Sequence, residues 1–128
     1  MDAERLKTTA LFSKLERNEL ARVARSMDEI EVPEGKELTR EGDIGHEFFV
    51  IDDGSASVRQ QGEEVSVMGP GDFFGEIALL ESPRRTATVV ATSPMRLFVM
   101  HARDFKAIEH DMPAVADRVR SAIYARLH

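Results

Sequence analysis

The chain has 128 residues, 42% hydrophobic and 31% charged, with 23 acids against 17 bases and no cysteine. Its length suits one ordinary domain with a single core; the missing thiols exclude disulfides and thiolate metal sites, and with no run of about eighteen apolar residues and no charged-then-apolar leader, neither a membrane span nor export is expected. Residues 32–100 hold twelve of the acids and six of the bases, so the net −6 arises wholly in this middle segment, whose field repels polyanions and argues against nucleic acid as a partner.

In chain order, Leu11, Leu15, Leu20, Val23, Ala24 and Met27 recur at helical spacing with charges between them, which predicts helices within residues 1–28. Ser13 with Glu16 has the form of a capping box. Pro33 and Gly35 break the pattern. From 29 to 101 the texture becomes short runs, "EIEV", "KELTR", "EFFVID", "SASVRQ", "EEVSVM", "TATVVA" and "RLFVM", punctuated by glycines, as in a compact all-β sandwich or roll. "EFFVI" and "RLFVM" are apolar without alternation and read as strands buried on both faces. After His101 the helical period returns, with Phe105, Ile108 and Met112 on one stripe and Val115, Val119, Ala122, Ile123 and Leu127 on a second. Pro113 ends the first of these helices or opens the next. The organisation expected is one domain over 1–128, mainly β with flanking α: helices in 1–28, strands in 29–101, helices in 102–128.

The stretch "GDFFGEIALLESPRRTATVV", residues 71–90, places one acid, Glu76, and one arginine, Arg85, nine positions apart among small residues. A single helical turn starting near Gly75 would aim its N–H groups at a small anion. Gly75 would let a ligand approach the backbone, and Arg85 could return across the same space with two parallel N–H bonds. A carboxylate beside an anion needs a partner of its own, and a sugar hydroxyl supplies one, so phosphate and sugar together imply a nucleotide. No "GKS" or "GKT" follows, and a singly charged cyclic phosphodiester fits one arginine better than a magnesium-bound triphosphate.

"FGEIALL" followed by "PRRTATV" resembles the phosphate-binding cassette of the cyclic nucleotide-binding domain family. "EGDIGHEFFVIDDGSASV" and "MGPGDFFGE" resemble the glycine pattern of that family's β-roll, so the likeness covers nearly the whole chain. The resemblance implies an antiparallel β-roll of the double-stranded β-helix or jelly-roll kind, with the cassette at 74–88. It implies that Glu76 holds the ribose 2′-hydroxyl with help from the Gly75 backbone. Arg85, counted back from "TATV", would hold the cyclic phosphate while Arg84 stays at the surface, and the Ala78 N–H would complete the phosphate contacts. Ile77 and Ala87 belong to the same cassette. Thr86 would bond phosphate or base, and Val65 and Val67, with Val58 nearby, would face the purine. The ligand implied is cAMP, with cGMP possible.

The function expected is that of a non-enzymatic, cytoplasmic sensor, a monomer or weak homodimer, that passes binding through its terminal helices to an effector domain or partner protein, without membrane. Two other readings stand beside it. A cupin-type β-roll enzyme would need metal-holding histidines, yet His46, His101, His110 and His128 are scattered and no His-x-His occurs. A scaffold of the same fold without ligand would be signalled by a degenerate cassette, and this one is intact. Nucleophilic catalysis has neither a cysteine nor a "GxSxG" to use.

Overall fold

Two strands without polar alternation form the centre of the molecule. The computed structural model describes residues 3–7, 9, 11–75 and 84–127. Within them β1 (Asp28–Val32), β2 (Glu37–Thr39), β3 (Glu47–Asp53), β4 (Ala56–Gln60), β5 (Glu63–Met68), β6 (Phe73–Phe74), β7 (Thr88–Ala91) and β8 (Met95–His101) make two four-stranded antiparallel sheets, ordered β1-β8-β3-β6 and β2-β7-β4-β5. The helices are α1 (Ala3–Leu6), α2 (Arg17–Arg25), α3 (Ala102–Asp111) and α4 (Pro113–Leu127). This is the antiparallel β-roll with flanking helices that the sequence implied.

The solid apolar runs have a direct cause. In the β3–β8 pair, Phe48 lies opposite Met100, Phe49 opposite Val99, Val50 opposite Phe98 and Ile51 opposite Leu97. Successive side chains leave a strand on opposite faces. Phe48, Val50, Phe98 and Met100 therefore enter a core shared with the helices, while Phe49, Ile51, Leu97 and Val99 enter a second core between the sheets. A strand segment covered on both faces has no position left for a polar residue, and each fully buried side chain of this size contributes about 1.5–3 kcal/mol.

The helices close the first core with Leu20 and Val23 of α2, Phe105 and Ile108 of α3, and Val115, Val119 and Ile123 of α4. Two details of the N-terminal reading are corrected. Residues 11–14 form turns rather than helix, with Leu11, Phe12 and Leu15 buried all the same. The capping box sits one turn later than Ser13 and Glu16: Glu16 is the N-cap of α2, and its N–H donates to the Glu19 carboxylate at 2.8 Å. Pro113 opens α4 at a position where its missing N–H leaves no bond unmade.

Ion pairs tie the helical layer together and to the roll. Arg22 of α2 reaches Asp111 of α3 at 2.8 Å, and Glu19 of α2 meets Arg118 of α4. Arg5 of α1 meets Asp52 of β3 and Glu29 of β1, with its guanidinium 4.9 Å from the centre of the Phe98 ring. The Arg22 guanidinium, and after it His110, holds the Asp111 carboxyl below its ordinary value. Among the described residues no helix is long and apolar enough to cross a membrane.

Candidate functional site

Arg85 lies just before β7 and is held at both ends of its residue. Its backbone N–H donates to the Asp43 carbonyl at 2.8 Å, and its own carbonyl accepts from the Gly42 N–H at 2.8 Å. Its side chain turns inward, where Nη2 donates to the Glu47 carbonyl at 2.8 Å and to Glu47 Oε2 at 3.2 Å. The residue is only 8% exposed. A charge so far from water requires built-in acceptors, and the start of β3 supplies them. The Phe49 ring centre lies 6.0 Å from the guanidinium carbon, and Phe49 in turn stacks on Phe74 at 4.7 Å.

Glycines make this inward turn sterically possible. A Cβ on Gly45 would fall 2.7 Å from both Cζ and Nη2 of Arg85. Gly75 has φ +79°, and a Cβ there would fall 2.6 Å from the Glu47 carbonyl oxygen and 2.8 Å from Arg85 Nη1. No side chain fits either place without displacing the arginine or the strand.

Arg85 opens onto a cavity of about 240 Å³ between the two sheets, walled by Thr39, Val58, Ser66, Met68, Phe73, Phe74, Gly75, Arg84, Thr86, Ala87 and Val89. The cassette end is pinned beside it: Thr39 Oγ1 donates to the Ala87 carbonyl at 2.9 Å, and Gln60 Nε2 donates to the Thr86 carbonyl at 3.1 Å. Gly75, Arg85, Thr86, Ala87 and Val58 are thus brought to one space. Arg84 reaches its rim from an exposed position, with Nη1 on the Gly42 carbonyl at 2.6 Å. Glu76, Ile77 and Ala78 lie outside the described residues.

Val65 and Val67 are placed otherwise than expected. They are 56% and 62% exposed and face away from the cavity, whose wall on β5 is Ser66 and Met68. The ladder explains this. Val58, which faces the cavity, pairs with Ser66, and Ala56 pairs with Met68, so the even-numbered residues of β5 share the inner face. Sequence reasoning also missed Gly45 and Glu47, which lie inside the quoted "EGDIGHEFF" run but were read only as part of its pattern. Among the described residues there is no group of three or more acids and histidines able to hold a metal.

Residues 29–110 match the family model of the cyclic nucleotide-binding domain. The chain belongs to that family. Its relatives place the family domain in several settings. The chain is 33% identical, over 91% of its own length and 32% of the relative's, to a cyclic nucleotide-gated potassium channel of Rhizobium etli. Among solved structures it resembles the N-terminal domain of a transcriptional regulator from Streptomyces coelicolor, with 30% identity, TM-score 0.81 and coverage of 99% of this chain and 91% of that one. It also resembles the regulatory domain of Toxoplasma gondii protein kinase A in complex with cAMP, with 35% identity, TM-score 0.74 and coverage of 83% of this chain and 42% of that one. The chain spans 26 to 32% of the length of the curated relatives it matches.

Proposed function

We propose that this family member is a sensor that binds cAMP in the cavity beneath Arg85 and passes the event to the flanking helices. The observation that carries the reading is Arg85 itself: a cation 8% exposed, steered by two glycines and a strand carbonyl onto a cavity of about 240 Å³. A planar guanidinium at such a wall suits the two exocyclic oxygens of a cyclic phosphate. In this reading Gly75, Glu76, Ile77 and Ala78 close over the sugar and phosphate, with Glu76 on the ribose 2′-hydroxyl. Thr86 and Ala87 border the phosphate and base. The purine lies against Val58 and Met68, with Ser66 the polar group of that wall. The apolar share of the wall favours adenine, which is easier to desolvate than guanine, and the likeness to a regulatory domain crystallised with cAMP supports the same ligand.

The ligand leaves the site unchanged in this reading. The output is conformational, a shift in the population of helix arrangements that the bound state prefers. The module spans 1–128 as one unit and serves an effector through its terminal helices.

Titration with cAMP, cGMP and linear AMP, followed by thermal denaturation and chromatography of the nucleotide, tests the proposal. Both cyclic nucleotides should raise Tm, cAMP at lower concentration, and linear AMP should not. At a hundredfold excess over Kd the stabilisation should approach about 2.7 kcal/mol. No shift with any cyclic nucleotide, or turnover to linear AMP, would overturn it.

A further inference from the structure

We propose that Glu47 sets the affinity of this site by competing with the ligand's phosphate for Arg85. The inference rests on the cyclic nucleotide reading above. Arg85 Nη2 donates to two acceptors of one residue, the Glu47 carbonyl at 2.8 Å and the Glu47 carboxylate at 3.2 Å. These acceptors differ in kind. The carbonyl belongs to the first residue of β3, which pairs with His101 of β8, so it is fixed by the sheet and orients the guanidinium whatever side chain stands at 47. The carboxylate is therefore dispensable for aim. What it adds is negative charge on the cation that the phosphate would engage.

The location of that charge strengthens the point. The Glu47 side chain is 39% exposed against 7% for Arg85, and it does not line the candidate nucleotide cavity. It lines a second cavity of about 200 Å³, onto which Arg85 also opens and which Glu37, Asp43 and Arg40 border; Arg40 pairs with Glu37 at 2.7 Å, and the acids there still outnumber this base. Arg85 is thus a partition, with an acidic compartment behind it and the candidate phosphate compartment in front. Seating a phosphodiester in front brings two anions to opposite sides of one guanidinium. Their mutual repulsion, and the sharing of one positive charge, weaken each contact, by an amount that solvent at the half-exposed carboxylate reduces without abolishing. The phosphate is common to every cyclic nucleotide, so Glu47 sets strength and is blind to the base.

The decisive variant is Glu47→Gln, which keeps the shape of the side chain and the strand carbonyl. It should bind cAMP and cGMP more tightly by one common factor, about threefold to tenfold, the size expected of a half-exposed charge interaction. The gain should shrink in high salt, where the repulsion it removes is screened. Without nucleotide its Tm should be equal to or slightly below that of the wild type. Glu47→Ala should tighten binding in the same direction, which guards against an effect peculiar to glutamine. A purely structural ion pair would instead lower nucleotide-free Tm and affinity together, and unchanged or weaker binding in either variant overturns the proposal. A wild type that binds neither cyclic nucleotide fails at the earlier step, and the two failures are told apart in the same titration.

Discussion

At the scale of single residues, adjacent arginines here have opposite environments. Arg85 is 8% exposed and turned onto the cavity, whereas Arg84 stands exposed at its rim. Arg85→Ala should therefore abolish measurable cyclic nucleotide binding, since losing one side of a desolvated charge pair typically costs about 2–5 kcal/mol. Arg84→Ala should change Kd little. Calorimetry on the two variants is sufficient, and equal losses would contradict the assignment. The glycines make a matched second test. Gly45→Ala meets the flexible end of a side chain, so it should weaken binding by pushing the guanidinium aside while leaving the nucleotide-free Tm nearly unchanged. Gly75→Ala meets a strand carbonyl at φ +79° and should cost stability itself, about 1–3 kcal/mol for the strained backbone. Denaturant titration separates the pair. Arg85 was legible in sequence because its spacing from Glu76 and from "TATV" is local. Gly45 and Glu47 were not, because their bearing on Arg85 arises from the approach of residues 42–47 to residues 84–86, a contact that no short window contains.

At the scale of elements, the strands were legible where burial is complete and illegible where it is one-sided. β3 and β8 carry unbroken apolar runs, Phe48 to Ile51 and Leu97 to Met100, because each run has a core on either face, and composition alone conveys that. β5 required a choice of face. Its valines suggested the inner side, but the pairing of Val58 with Ser66 and a register shift after Val58 place Val65 and Val67 outside. Register of this kind is set by the partner strand, which an isolated hexapeptide does not reveal. The start of α2 was misplaced for a similar reason: Glu16 is its N-cap, and Glu19, three residues on, closes the capping box. Between helices, the Arg22–Asp111 pair yields a pH prediction. Asp111 is held below its ordinary pKa in the folded chain, chiefly by Arg22. A depressed folded pKa contributes stability above the unfolded value, and the contribution disappears as pH falls through the folded one. Asp111→Asn should lower Tm at neutral pH, and the difference from wild type should begin to shrink as pH falls below about 4 and vanish only once pH has passed below the depressed folded pKa. A difference that persists unchanged in acid would show that the pair is not its source.

At the scale of the whole molecule, the roll and the helices were legible as separate textures, a change of period near 29 and another near 101, but their mutual dependence was not. The sheet β1-β8-β3-β6 turns Phe48, Val50, Phe73, Phe98 and Met100 outward from the roll and into the helical layer. Stripping the helices away would uncover a contiguous oily wall, of the kind that monomeric proteins keep covered. A fragment of residues 29–101 is accordingly expected to self-associate and to bind a hydrophobic dye even if its cavity survives, with light scattering as the measurement; a monodisperse fragment would refute this. The same wall limits how such a molecule can speak to a neighbour. A lever that lifts clear would leave grease in water, so in the proposed sensor the helices would be expected to glide over the sheet as a raft, trading one set of contacts for another while the surface beneath stays dry.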